Sequence, residues 1–245
     1  MWYTYIMKKL SVTTILFWVL LVTLAGSIAF AAYKTAVTPS NPGPSAEGER
    51  LKSDYVLMLV QCTLGLIVMF LPSLLEKRFH IRIPNSTAVL YFIFLYCAIY
   101  LGEVRSFYYV IPHWDTFLHA MSAMMLGSLG FSLVQILNDS PDTSVHLSPR
   151  FVGLFAFCFA VAVGALWEIY EFSFDGLLQM NMQKFRLENG TELIGRAALS
   201  DTMEDIITDV LGALVVSVGG AWALHFRKQK ALAMELQNEN PEAQA

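Results

Sequence analysis

Charge is what this chain has least of. Of its 245 residues only 15% are Asp, Glu, Lys or Arg, while 56% are hydrophobic. Soluble domains carry about 25% charged residues, so the composition excludes an ordinary soluble enzyme or binding module. Cysteine is nearly as scarce. Cys62, Cys97 and Cys158 fall at unrelated spacings inside apolar runs. With no CxxC and no Cys/His ligand spacing, a disulfide framework and a cysteine zinc site are both excluded, and the three read as small apolar side chains. A nucleophile elbow, a phosphate loop and an HExxH helix are also missing. The net charge is only −4, and no basic stripe with interleaved aromatics exists, so nucleic acid is not an expected partner.

Long apolar runs are present instead, and they predict an all-α, polytopic transmembrane bundle of about six spans. The first runs from about Ser11 to Tyr33 behind Lys8 and Lys9. Residues 1–34 read as an N-terminal anchor that also resembles a signal peptide; the apolar run exceeds the roughly 7–15 residues of a signal core. Residues 35–54 form a Pro/Gly-rich loop. A five-span membrane domain fills residues 55–226, with spans at about 55–75, 86–102, 115–137, 151–172 and 205–226, and a polar tail covers 227–245. Lys8, Lys9, Lys77, Arg78, Arg82, Arg150, Arg227, Lys228 and Lys230 share one side. Lys34, Arg50, Lys52, Arg105, Lys184, Arg186 and Arg196 share the other. The tight clusters abutting span ends orient both termini toward the cytoplasm.

Against this apolar background the acids stand out. Asp115, His119 and Ser122 repeat at i, i+4 and i+7; Glu168, Glu171 and Asp175 at i, i+3 and i+7; Asp201, Asp205 and Asp209 at i, i+4 and i+8. Each set lies on one side of a helix, and the predicted topology puts all three at extracytoplasmic span ends. A charge within a bilayer costs roughly 2.5–3.5 kcal/mol even on lenient scales. Neighbouring carboxylates in a low dielectric cannot all stay ionised: some take up protons, or a cation sits among them. Carboxylates with imidazole suit Mg²⁺, Mn²⁺ or Zn²⁺. The predicted metal ligands are Asp115, His119, Glu168, Glu171, Asp175, Asp201, Asp205 and Asp209, and His119, Glu171 and Asp205 are the predicted proton-moving groups.

Structural readings compete. Asp115 and Asp201 are good helix N-caps, and Asp201-Thr202-Met203-Glu204 fits a capping box. Capping does not account for Glu168, Glu171 and Asp175, which sit at a predicted helix C-terminus where the dipole disfavours negative charge. His113, beside Pro112 and Trp114, reads equally as an interfacial loop residue.

The runs GEVRSFYYVIPHWDTFLHAMSAMMLGSLGF, ALWEIYEFSFD and DTMEDIITDVLGAL resemble the YjdF-like family of bacterial inner-membrane proteins over roughly residues 55–226. Ala123 stands where that pattern has glycine. A weaker similarity links the Asp/His, Glu and Asp/Gly pattern to VanZ-like membrane proteins. The resemblance implies the fold and no activity. The resulting expectation is a metal-dependent membrane enzyme acting on a lipid or lipid-linked envelope substrate. The alternatives are a scaffold whose buried acids pair with Arg105 and Arg196, and an ion- or proton-coupled carrier.

Overall fold

Among the described residues helix is the only regular structure of any length. The protein is described by a computed structural model over residues 11–39, 50–79, 83–138, 147–187 and 191–239. Lys8 and Lys9, most of the Pro/Gly-rich loop, the polar loop 139–146 and the end of the tail lie outside them. The helices are α1 (Val12–Val37), α2 (Lys52–Val68), α3 (Leu71–Phe79), α4 (Asn85–Leu95), a π-helical segment (Tyr96–Val104), α5 (Phe107–Val110), α6 (Trp114–Asn138), α7 (Pro149–Leu178) and α8 (Arg196–Glu239). Six stretches are long and apolar enough to span a bilayer: 12–37, 52–78, 85–104, 114–138, 149–178 and 196–231. The bundle is therefore all-α and polytopic. Its outer faces carry exposed Val22, Ile67, Leu166, Val215 and Trp222, while acidic side chains lie inside. That inversion suits hydrocarbon solvent, where apolar surface costs nothing to expose and polar groups need partners.

The chain forms two units. The first comprises residues 1–118 and 170–201, the second residues 119–169 and 202–245.

In the first unit α1 starts at Ser11, whose Oγ accepts the Thr14 N–H at 3.1 Å. Leu20, Leu24 and Ala31 of α1, Met58 and Cys62 of α2, and Phe92, Leu95 and Ile99 from α4 and the π segment form its main core. Gly65 permits this close approach, because a Cβ there would meet Ile99 and Leu24. Pro72 splits the second span into α2 and α3. It has no N–H for the Val68 carbonyl four residues earlier, and its ring crowds that turn. The Tyr91 hydroxyl donates to that carbonyl at 2.7 Å instead. The span nevertheless continues to Arg78, three residues past the predicted end at 75.

The third span was expected to run as a plain helix. It ends as a π segment, then breaks at Ser106, which adopts φ 61°. The fifth and sixth spans also exceed their predicted ends. α7 reaches Leu178, and α8 begins at Arg196, well before the predicted start near Asp205.

The second unit is a packing of small residues. Gly130 lies against Ala156, Gly153 against Ala221 and the Ser217 carbonyl, and Gly212 against Ala120 and Ala123. Such contacts replace the missing hydrophobic drive between helices in lipid. Phe131, Val134, Val152 and Ala156 form its core.

Candidate functional site

His119, Glu168, Glu171, Asp175, Asp205 and Asp209 are each at most 8% exposed. Their burial is the property the sequence predicted, and their partners divide them by unit.

In the second unit α8 presents Asp205 and Asp209 one turn apart. His119, near the start of α6, lies beside both: Nδ1 is 3.3 Å from Asp209 Oδ1 and Nε2 is 3.7 Å from Asp205 Oδ2. Both edges of one imidazole therefore face carboxylates. Gly164 of α7 makes room for this arrangement, because a Cβ there would overlap the Asp209 carboxylate and sit 3.0 Å from its Cγ. The His119 carbonyl accepts from Ser122 Oγ at 2.9 Å, so the third member of the predicted α6 stripe bonds within its own helix. Glu168 is buried on α7 in the same unit.

In the first unit the organising residue is one the sequence reading did not select, Lys184. Its ammonium pairs with Asp115 and lies 3.8 Å from Asp201 Oδ1. It also stacks 4.8 Å from the centre of the Tyr108 ring. Burial works against the charged ammonium, but Asp115 and Asp201 prevail, with a contribution from Glu171, and hold its pKa above the usual lysine value. Lys184 reaches this position through a tightly knit connection after α7. Asn181 exchanges hydrogen bonds with the Arg186 backbone (2.9 and 2.8 Å). Arg186 Nη2 donates to the Gln179 and Met180 carbonyls at 3.0 and 2.7 Å, satisfying groups just past the helix end. Met180 and Met182 are buried against Leu57, and Leu193 N–H bonds the Phe185 carbonyl at 2.8 Å. Asn181 also donates to the Tyr109 hydroxyl at 3.4 Å, and burial pushes that phenol's pKa up.

Asp175 serves the same connection. Its carboxylate accepts the Met182 and Gln183 N–H groups at 2.8 and 2.9 Å. It sits in the last turn of α7, where the dipole disfavours it, and two backbone donors compensate. Asp201 is not an N-cap, because α8 starts five residues earlier; its partner is Lys184. Asp115 lies in the first turn of α6, one residue inside the start. His113 is exposed in the preceding turn at φ 58°. Glu103 sits in the π segment, whose terminal carbonyls take hydrogen bonds from Arg50.

Lys184 escaped notice because it lies in a polar loop with no period, and only the fold brings it back to the acids. The Asn181–Arg186 pairing has no sequence signature either.

The geometry defines a polytopic membrane protein with buried carboxylate–imidazole and carboxylate–ammonium groups. Residues 48–226 match the family described as "Predicted membrane protein (DUF2238)", and the chain belongs to that family. It is also similar to an uncharacterised protein from Thermotoga maritima, 31% identical over 149 residues, covering 60% of this chain and 68% of that one. No solved structure matches. The YjdF-like resemblance is consistent with the family match; a VanZ-like relationship is not shown by these matches.

Proposed function

We propose that the protein is a membrane enzyme that holds a divalent cation at His119 and Asp205, with Asp209 bonded to the other ring nitrogen, and acts on a lipid or lipid-linked envelope substrate. It would sit in a bacterial inner membrane with both termini cytoplasmic and this group toward the opposite face. The observation that carries the reading is the buried imidazole flanked at 3.3 and 3.7 Å by two carboxylates. An imidazole beside a carboxylate suits Zn²⁺ or Mn²⁺, and His119 and Asp205 offer donor atoms close enough to share an ion. Metal-ligating histidines usually give their second ring nitrogen to a carboxylate, and His119 has a carboxylate at each nitrogen. The space left by Gly164 fits a carboxylate held for a purpose. A cation here would polarise a phosphoryl or ester oxygen. His119 or a neighbouring acid would carry the proton.

The same geometry favours a second reading, in which His119 is an imidazolium tying α8 to α6 and the group is structural. Elemental analysis of the detergent-purified protein separates the two. The metal reading expects about one equivalent of Zn, Mn or Mg per chain, absent from a His119→Ala/Asp205→Asn variant of matched helicity. Metal-free protein that takes up none on reconstitution would reject the cation and leave the ion triad.

A further inference from the structure

Three cations at span ends have no part in the groups above. Lys34 lies in the last turn of α1, Arg50 just before α2, and Arg105 just after the π segment. Arg50 and Arg105 line a recess of about 320 Å³ together with Phe30, Tyr55, Val104 and Ser106. We propose that this recess seats the phosphate of an anionic lipid headgroup, with Arg50 and Arg105 as its clamp. This site is separate from the proposed cation group and does not depend on it.

Arg50 is positioned rather than saturated. Its Nη2 donates to the Glu103 and Val104 carbonyls at 2.9 and 3.2 Å, and to Ser106 Oγ. Those bonds fix the guanidinium at the mouth of the recess and satisfy the carbonyls that would repel an anion. Its Nε and Nη1 have no acceptor among the described residues. The Arg105 guanidinium has none there either; only its backbone N–H is bonded, to the Tyr100 carbonyl at 2.9 Å. Asp54 and Glu103 both lie within electrostatic reach of Arg50, without a direct ion pair. Asp54 is turned to the Leu51 N–H at 2.7 Å, and neither Asp54 nor Glu103 makes an ion pair with either arginine among the described residues. Ser106 holds the left-handed conformation that turns the chain around the recess, and such strain collects at ligand clamps.

The level and the border argue for a lipid. Three span ends meet here, where headgroups lie. Lys34 adds charge 5.7 Å from the centre of the Tyr55 ring. The Phe30 and Tyr55 rings give the apolar-to-polar edge that an acyl glycerol presents. The volume matches the lower end of small-ligand sites, about 300 Å³. Guanidinium forks bind phosphate bidentately.

The test is equilibrium binding of the full-length detergent-purified protein to short-chain phosphatidylglycerol, short-chain phosphatidylcholine and glycerol phosphate. Phosphatidylglycerol should bind about tenfold more tightly than either of the others, and Arg105→Gln should remove about tenfold of that affinity. Arg227→Gln, at an exposed site in the last turns of the 196–231 stretch, should leave it unchanged. Should Arg105→Gln fail to fold, Arg105→Lys keeps the charge without the fork and should lose several-fold. Equal binding of glycerol phosphate would mean a free-phosphate site and overturn the lipid. Equal losses in the Arg105 and Arg227 variants, or no preference between the two lipids, would mean diffuse surface charge and overturn the site.

Discussion

Two glycines of the second unit should respond to alanine in opposite directions. At Gly219 nothing lies within 4 Å of an added Cβ. Gly219→Ala removes glycine's helix penalty and should stabilise the protein by up to about 1 kcal/mol. At Gly164 the added methyl overlaps the Asp209 carboxylate and comes within 3.0 Å of Cγ and 3.3 Å of Cβ. Asp has only one carbon between backbone and carboxylate, so the group escapes by rotating about χ1 or χ2. That carries Oδ1 away from His119, 3.3 Å distant. Overpacking costs about 1–3 kcal/mol, and losing a charge-assisted hydrogen bond about 1.5–3. After the helix gain of about 1 kcal/mol, Gly164→Ala should destabilise by about 1.5–5 kcal/mol. Both variants can be followed by SDS or thermal unfolding in one detergent. A neutral or stabilised Gly164→Ala would show that Asp209 is not held against His119 and would remove the basis of the site.

Tyr91→Phe should cost about 0.6–1.7 kcal/mol, the range for hydrogen bonds between membrane helices, because the Val68 carbonyl loses its donor. In a Pro72→Ala background residue 72 supplies an N–H to that carbonyl, so unfolding of the four proteins of the cycle should show the cost largely gone; an undiminished cost would refute the link between the proline and the tyrosine. Lys184→Met should lower stability by about 1–3 kcal/mol at neutral pH. Its folded pKa lies above the unfolded value of about 10.4, so the stabilisation is complete below that pH and fades as pH rises through the folded value. Melting curves between about pH 9 and 12 should show an alkaline loss in the wild type that Lys184→Met lacks, and parallel curves would reject the ammonium's role.

Legibility followed periodicity. The spans were readable because an apolar run of about 20 residues has one stable form in lipid. Burial of Glu168, Glu171, Asp175, Asp205 and Asp209 was readable from helical spacing, since one stripe has to face away from hydrocarbon. Span ends were not. Arg196 to Glu204 is polar enough to pass for a loop, yet it is helix, and there hydropathy misplaces a boundary that backbone hydrogen bonding sets. The π segment was invisible because one altered turn changes no composition. Capping predicted the wrong partner for Asp201, since local chemistry cannot foresee a lysine arriving from a connection 17 residues earlier.

The acids that looked like one cluster in the sequence have different obligations in the fold. Asp175 is committed to two backbone amides, and Asp115 and Asp201 face a lysine. A lysine held this way is a cation at every physiological pH, so the charge of that group is fixed and its role is to fasten the connection after α7. Asp205 and Asp209 face the His119 imidazole instead. His119 brings two carboxylates from α8 to the two edges of one imidazole, and under the reading proposed above His119, Asp205 and Asp209 are the residues to substitute first.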